Sequence, residues 1–433
     1  MTGRRVAYLN ARLLDPDSGL DTMGALLVED DRIADLGAAL FREGAPSVAE
    51  VVDCNGMCLA PGMIDIRVRT CEPGAEHKES IASAGLAAAA GGVTTIVALP
   101  DTDPVIDDVP VVAFVTRRGQ EVDTVRVHCY GTVTRGLSGR ELTEMGLLAE
   151  AGALAFTDGA RAVADSQVMR RALSYASGMG LLIVQHPEDP SLAGGVMNAG
   201  EIASRLGLSG IPTEAEVIMI ERDLRLVALT RGRYHAAHVS TAAAIDAIRQ
   251  AKQRGLPVTC DTAPHYFALN ETAVGEYRTF AKVSPPLRDE MDRRAVVAGL
   301  ADGTIDVIAS DHTPQDQDSK RLPFALAEYG IIGLETLLPL TLGLYHEGAL
   351  SLLDALAKVT VKPATLLGLP SGRLRRGAPA DLVLFDPDQP WIVQEVAFRS
   401  KSKNSPFDGR PVQGQVLRTV VGGRTSYRRD GTP

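Results

Sequence analysis

The sequence predicts an α/β protein built on a (β/α)8 barrel, with shorter β segments before and after it. From about residue 60 the chain alternates apolar segments with Ala-rich stretches of helical character, which is typical of parallel strands joined by crossover helices. Roughly eight such units fit a closed barrel better than an open sheet. Polar residues end three of the apolar segments: His186 ends LLIVQH, His238 ends YHAAH and Asp311 ends VIASD. Because a barrel gathers the carboxyl ends of its strands around one site, we expect these side chains to meet.

The individual elements follow from local pattern. Alternating segments at 6–14 and 25–28, separated by turn residues at 15–19, predict a β-meander before the barrel. Apolar runs then predict barrel strands at 63–69, 93–99, 125–130, 153–156, 181–185, 257–260 and 305–309. After about residue 366 the β pattern returns, at 380–385, 412–421 and 425–427. The chain has no internal repeat or low-complexity run.

Composition excludes several classes of protein. A net charge of -10 over 433 residues argues against general nucleic-acid binding. Five cysteines without a C-x-x-C pair do not form a disulfide framework and suit a reducing compartment. No window approaches the roughly 18 apolar residues of a membrane span, and the start MTGRRVAYLN lacks the apolar stretch of a signal peptide. We therefore expect a cytoplasmic protein that binds neither nucleic acid nor membrane.

One strand carries an unusual pair of charges. Arg67 and Arg69 lie two residues apart in the apolar segment at 63–69, so both side chains project from the same side of the strand. A guanidinium has no free lone pair and stays protonated at any working pH, so neither residue can ligate a metal. The strand brings fixed positive charge to the barrel. On a solvent-facing strand the two arginines would need no special role.

Three segments resemble the dihydroorotases of the amidohydrolase superfamily. Residues 61–74, PGMIDIRVRTCEPG, are similar to the motif PGxIDxHVHLREPG. Residues 87–104, AAAAGGVTTIVALPDTDP, are similar to AAAAGGxTTVxxMPNTxP, and IASDHTPQ followed by KRLPFALAEYG within 308–330 is similar to the ATDHAPH segment and its loop. The resemblance implies an amidohydrolase barrel over 60–365 and a small β-sandwich formed jointly by 1–59 and 366–433. It also implies a place in pyrimidine biosynthesis, where dihydroorotase interconverts carbamoyl-aspartate and dihydroorotate.

The resemblance also implies a metal centre that this chain has altered. Family members hold one or two divalent metals, usually zinc, through a first-strand His-x-His pair, a bridging carboxylated lysine or an aspartate, two later histidines and a final aspartate that also takes a proton from water. Arg67 and Arg69 stand at the His-x-His position. Four candidate ligands are retained. His186 and His238 match the later histidines, and Asp311 matches the final aspartate. Asp158 matches the aspartate of members without the lysine. We expect no cofactor, with zinc at this vestigial or partial site as the alternative.

The substrate positions implied by the resemblance differ as well. Cys71 stands where the family has the arginine that grips the substrate carboxylate, and a thiol cannot reproduce that fork. Asp101 replaces an asparagine and puts negative charge near an anionic substrate. Ser284 replaces the asparagine of NPPLR, and Gln315 replaces the histidine that ends DHAPH. Four substrate positions and two metal-ligand positions therefore depart from the family pattern together.

Three functions remain open at this point. The favoured one is a catalytically impaired dihydroorotase homologue that self-associates and serves as a structural partner of aspartate transcarbamoylase, as some members of the family do. In that case we expect Asp311 to pair with an arginine, which would replace the positive charge of the metal. The second is an active cyclic amidohydrolase with a reduced metal site, in which Asp311 is the base. The third is a metal-free sensor in which Arg67 and Arg69 bind an anionic metabolite.

Overall fold

The computed structural model describes residues 4–42, 44 and 50–431. Positions 1–3, 43, 45–49 and 432–433, which belong to the expected terminal β module, lie outside the described residues. Among the described residues, no helix is both long and apolar enough to cross a membrane.

Strands from both ends of the chain join in one sheet. The strands are β1 (Arg5–Asp15), β2 (Leu20–Glu29), β3 (Arg32–Gly37), β4 (Glu50–Asp53) and β5 (Cys58–Pro61), with β15 (Leu382–Ile392), β16 (Pro411–Val421) and β17 (Arg424–Arg428). Their order is β17-β16-β15-β5-β1-β2-β3, and β4 pairs with β1. Strand β5 makes the junction, because it runs parallel to β1 and antiparallel to β15. The terminal segments thus form a single eight-stranded sheet with its own apolar cluster around Leu13, Leu26 and Leu384.

In chain order, the barrel lies between the amino-terminal and the carboxyl-terminal strands of that sheet. Its strands are β6 (Met63–Val68), β7 (Val93–Ala98), β8 (Arg126–Cys129), β9 (Leu182–Gln185), β12 (Arg233–Ala236), β13 (Val258–Thr262) and β14 (Val307–Ile308). A further short parallel pair, β10 (Met197–Asn198) and β11 (Gly210–Ile211), lies outside it. Every residue of β6 and β7 is buried, as expected for strands covered on both faces. Six of the seven predicted barrel strands therefore form, with ends shifted by at most two residues.

Isolated bridges close the ring. Phe156 bridges to Gly131 on one side and to Ile183 on the other, which supplies the strand position between β8 and β9. Val68 bridges in parallel to His312, so the last strand position returns to the first. This gives eight positions among the described residues, and the predicted (β/α)8 fold is confirmed. The segment predicted as a strand at 153–156 is reduced to the single bridging residue Phe156.

Helices cover the outside of the barrel. They are α1 (Ile81–Ala90), α2 (Val109–Val122), α3 (Met145–Glu150), α4 (Ser166–Gly178), α5 (Glu201–Leu206), α6 (Glu214–Thr230), α7 (Ala242–Gln253), α8 (Pro264–Ala268), α9 (Glu290–Ala301), α10 (Gln317–Lys320), α11 (Leu337–His346), α12 (Leu352–Ala357) and α13 (Val361–Leu367). Short 3-10 helices lie at Arg135–Leu137, Glu271–Val274, Thr279–Ala281, Leu334–Thr336 and Glu395–Ala397. Side chains cap the longer helices: Ser80 and Ser83 form a capping box on α1, and Asp165 accepts from the first turn of α4.

Two further apolar clusters hold the barrel together. A large one lies between the strands and the helices, and it includes Ile96, Phe156 and Ile183. A smaller one, including Ile64 and Val97, fills the barrel interior. Since neighbouring strand residues point to opposite faces, the same strands supply both clusters. The filled interior leaves the loops at the carboxyl ends of the strands as the place for a functional site.

Candidate functional site

A buried ion pair occupies the carboxyl end of the barrel. Arg67, at the end of β6, is 3% exposed, and its Nε lies 2.8 Å from Oδ1 of Asp311, which follows β14. The same guanidinium donates through Nη2 to the carbonyl of Gly159 at 3.4 Å. Burial alone would raise the pKa of Asp311, but its contacts with His238 and Arg67 hold that pKa well below its usual range. The expectation that Asp311 pairs with an arginine is thus confirmed.

The two strand-end histidines lie against each other and against that pair. Nδ1 of His186 is 2.7 Å from Nε2 of His238, and Nδ1 of His238 is 3.1 Å from Oδ2 of Asp311. Burial, together with the charge of Arg67, lowers the pKa of His238 to about 4, so this ring is neutral at pH 7. The structure therefore brings together the three side chains that the strand ends placed at one site. His265 lies close by, 3.9 Å from Asp311, and neither of its ring nitrogens has a hydrogen-bond partner among the described residues.

A glutamate that the sequence reasoning missed extends this network. Oε2 of Glu188 lies 3.4 Å from Nε2 of His186 and accepts a hydrogen bond from the Ser284 hydroxyl at 2.7 Å. Glu188 is buried, and burial would raise its pKa, yet the hydrogen bond and charge of His186 lower it. The available signal was its position, because it follows the strand-end His186 by two residues. The chain of contacts runs from Arg67 through Asp311 and the histidines to Ser284.

These residues do not fit a zinc ion. Zinc needs three or four lone-pair donors that converge on one point. Here His186 and His238 direct ring nitrogens at each other, and the carboxylate of Asp311 is shared between His238 and a guanidinium. Within the described ranges, no three His, Cys, Asp or Glu side chains are grouped so as to hold a metal ion. The fixed charge of Arg67 at Asp311 also repels a second cation.

Asp158 is directed elsewhere. Its Oδ1 accepts hydrogen bonds from the backbone N–H groups of Val133 and Thr134, both at 2.9 Å, and its Oδ2 accepts from the Thr134 hydroxyl. Burial raises the pKa of this carboxyl, partly offset by those hydrogen bonds. The structure thus uses Asp158 to fix the loop after β8, and it shows no hydrogen bond from this carboxylate to either histidine.

The remaining substrate positions are also paired within the protein. Nη2 of Arg69 lies 2.6 Å from Oδ2 of Asp101. Gln315 donates to the carbonyl of Tyr329 at 2.8 Å and accepts from Nζ of Lys78 at 2.8 Å. These contacts tie the first barrel loop to the loop after β14.

Cys71 is half-buried beside Arg69. Burial raises the pKa of its thiol to about 12, with the charge of Arg69 acting in the opposite direction. A thiol that keeps its proton at pH 7 is a poor nucleophile. Covalent catalysis through Cys71 is therefore not supported.

The space at the site is divided in two. The cavity bounded by Arg67, His238 and Asp311 measures about 30 Å³, which is the room of one water molecule and far below that of an organic ligand. A cavity of about 300 Å³ lies next to it, against Arg69 and Asp101. A small metabolite fits only the second space, away from the histidines.

Comparisons with known proteins agree with this architecture. A family model described as Dihydro-orotase-like matches residues 56–244, and one described as Amidohydrolase family matches residues 230–427. The chain is 48% identical to a dihydroorotase of Anaplasma phagocytophilum, over 98% of this chain and 96% of that protein. It is 47% identical to a dihydroorotase of Pelobacter propionicus, over 97% of this chain and 99% of that protein.

Solved structures show the same fold. The L-hydantoinase of Arthrobacter aurescens superposes with a TM-score of 0.89 at 26% identity, covering 99% of this chain and 97% of that one. The dihydropyrimidinase of Brevibacillus agri NCHU1002 superposes with a TM-score of 0.83 at 22% identity, covering 98% and 95%. The barrel and the terminal sheet are therefore shared across these hydrolases.

Proposed function

Because this chain belongs to the dihydroorotase family of amidohydrolases, we propose that it has lost metal-dependent hydrolysis and acts as a structural partner of aspartate transcarbamoylase. The single observation that carries the loss of catalysis is the buried pair of Arg67 and Asp311. The family reaction needs the final aspartate to take a proton from a metal-bound water. A carboxylate held by a guanidinium, with its pKa far below the usual range, is a weak base.

The substrate side supports the same proposal. Carbamoyl-aspartate carries two carboxylates, and its recognition needs free cationic donors. Arg69 is neutralised by Asp101, and the position of the gripping arginine holds Cys71. An anionic substrate therefore meets a site in which Arg67 and Arg69 already contact carboxylates.

The second candidate is an active amidohydrolase. The relatives that are 47–48% identical bear the name dihydroorotase, and Asp311 and both later histidines are present here. For this candidate, Arg67 would have to leave Asp311 before water could be activated. Breaking a buried charge pair costs about 3–5 kcal/mol, which weighs against it.

The sensor is the least supported candidate. Arg67 and Arg69 each already contact a carboxylate, at 2.8 and 2.6 Å. An incoming anion would have to displace Asp311 or Asp101, and the cavity beside Arg67 is too small for an organic ligand.

The proposed partnership rests on the family resemblance to scaffolding members and on the loss of chemistry at the barrel mouth. Large apolar side chains are available on the surface for contacts with a partner or a second copy: Leu229, Met291, Leu326 and Val396 are 68%, 70%, 69% and 81% exposed. Isolated exposed apolar residues are common, so these are targets for testing rather than an interface.

Co-expression tests the partnership. Tagged chain and untagged aspartate transcarbamoylase of the same organism are co-expressed, captured through the tag and passed over a sizing column. We expect the two chains to elute together at about micromolar concentration, the affinity of a modest specific interface. The control is the same transcarbamoylase with a tagged unrelated protein. Independent elution of the two chains would contradict the scaffold proposal.

A further inference from the structure

A cavity that shares no lining residue with those at the barrel mouth lies at the junction of the barrel helices and the terminal sheet. It measures about 460 Å³, within the range of small-molecule sites. Its apolar wall comes from Phe267 of α8 and from Leu340 and Leu344 of α11. Arg410 and Pro411, where β16 begins, form the opposite wall. The cavity therefore offers an apolar surface facing a cation.

The cation in this wall is only partly satisfied. Arg410 is half-buried, and its Nη1 donates to the carbonyl of Ala268 at 3.0 Å. Its guanidinium also lies 5.7 Å from the centre of the Phe407 ring. Among the described residues, no carboxylate lies within ion-pair distance of Arg410, and no other side-chain hydrogen bond from it is found. Burial lowers the pKa of Arg410, and the charge of Glu347 opposes that shift only in part, so the guanidinium is partly desolvated.

Neither of the other two charged residues that line the cavity, Arg293 and Glu347, forms an ion pair with Arg410. Arg293 lines the same cavity but is held by both carboxylate oxygens of Glu290, at 2.7 and 2.8 Å. Glu347 lies on the rim, is exposed to solvent and makes no ion pair within the described part of the chain. An exposed carboxylate is screened by water, so Glu347 balances the charge of Arg410 only weakly. The unpaired donors of Arg410 are left for a ligand.

We propose that this cavity binds a small organic anion, with its carboxylate or phosphate group on Arg410 and its apolar body against Phe267, Leu340 and Leu344. A planar guanidinium pairs with either anion through two parallel N–H bonds. The apolar body adds to the affinity because its contact with these side chains removes apolar surface from water. A ligand there contacts α8, α11 and β16 at once, so it holds the barrel and the terminal sheet together.

Fluorine NMR on the full chain tests this proposal. The probes are 3-(4-fluorophenyl)propionate and 4-fluorophenyl phosphate, with 3-(4-fluorophenyl)propan-1-ol as the neutral match. We expect at least one anionic probe to bind about tenfold more tightly than the alcohol, as one charge-assisted contact requires. A bound anion should also raise the melting temperature. The carboxylate and phosphate probes distinguish the two possible head groups.

Two variants locate the site. Arg410→Gln should weaken binding of the anionic probe about tenfold. Arg254→Gln should leave that binding unchanged, because Arg254 is an exposed arginine that follows α7 and has no ion pair among the described residues. Gly343 of α11 lines the cavity, and a Cβ built there meets no atom within 4 Å. Gly343→Leu should therefore fill the cavity and abolish binding without straining the helix. Equal binding of acid and alcohol, or undiminished binding in both cavity variants, would overturn the proposal. If Arg410→Gln fails to fold, Gly343→Leu and the acid-alcohol comparison still decide it.

Discussion

At the scale of single residues, Arg67 supplies the positive charge that the buried carboxylate of Asp311 needs. Asp311, His238 and His186 still converge at the barrel mouth, and a carboxylate buried there needs a positive partner. The guanidinium supplies that charge at 2.8 Å from Asp311. It supplies no open coordination position, so under the proposal above the charge balance is kept while the chemistry of a metal-bound water is lost.

Replacing Arg67 tests this role. Arg67→Met keeps most of the side-chain volume but leaves Asp311 without its cation, so we expect the free energy of unfolding in urea to fall by about 3–5 kcal/mol. Arg5→Met is the matched control, because Arg5 pairs with Glu29 at 2.8 Å with both side chains more than 40% exposed. That variant should lose only about 0–1 kcal/mol. Equal losses in the two variants would show that the buried pair has no special weight.

The substrate positions call for a separate experiment. The double variant Arg67→His, Arg69→His restores the His-x-His pair, yet Cys71, Asp101, Ser284 and Gln315 still differ from the family pattern. We expect no measurable cyclisation of carbamoyl-aspartate by this variant, because the donors for the substrate carboxylates are still missing. Appreciable turnover would show that the two arginines alone had silenced the enzyme.

Sequence reasoning located most of this site but not all of its connections. Strand-end positions were enough to bring His186, His238 and Asp311 together, because barrel topology fixes where strands end. Sequence reasoning did not reveal that Glu188 would contact His186, or that Asp158 would accept hydrogen bonds from the loop after β8. Those contacts depend on loop backbone geometry, which periodicity does not encode.

At the scale of elements, close backbone approach fixes how α1 meets the rest of the barrel. Gly91 ends α1, and a Cβ there would lie 2.1 Å from the carbonyl oxygen of Leu334. Gly91→Ala should therefore lower the free energy of unfolding by about 1–3 kcal/mol through overpacking. Gly178→Ala, in α4, is the control, since nothing lies within 4 Å of its Cβ position. There we expect a change from about zero to a gain of 1 kcal/mol, measured by the same urea titration.

Two buried lysines hold the loop that follows β14. Nζ of Lys320 donates to the carbonyls of Glu328 and Thr279, at 2.6 and 3.1 Å. Nζ of Lys282 donates to those of Ala327 and Ala325, at 2.7 and 3.0 Å. Burial lowers the pKa of Lys320 to about 7, with the charge of Lys282 acting in the same direction. The loop is thus held by two lysine side chains whose pKa values are lowered by burial.

This depressed pKa predicts a pH dependence of stability. Above pH 7 folded Lys320 releases its proton, whereas the unfolded side chain keeps it to about pH 10.4. The unfolded state then binds more protons, so the contribution of Lys320 to the free energy of unfolding rises with pH. Between pH 7 and about 8.5, below the ordinary thiol titration, wild type should gain stability relative to Lys320→Met. Lys362→Met, an exposed lysine of α13, should keep the wild-type slope. Parallel profiles for wild type and Lys320→Met would contradict the assignment.

At the scale of the whole molecule, the fold was largely readable from the sequence. Alternation of apolar strands with Ala-rich helices predicts the barrel, and the bridge from Val68 to His312 closes it. Reading the terminal segments as β was also correct, because their period-two pattern is strong. The family resemblance implied that the two terminal segments join, but local pattern alone did not, since the junction depends on β5 pairing with partners far apart in the chain. Long-range pairings of this kind leave no local signal.

The most direct test of the central claim is the zinc content of protein purified without chelator, measured beside a carbamoyl-aspartate cyclisation assay on the same sample. A guanidinium at Asp311 and histidines bonded to each other leave no ligand set, so we predict less than about a tenth of an equivalent of zinc and no turnover. The same result after incubation with excess zinc would exclude loss of metal during purification. About one equivalent of zinc together with turnover would contradict the account, and it would mean that Arg67 leaves Asp311 in the working enzyme.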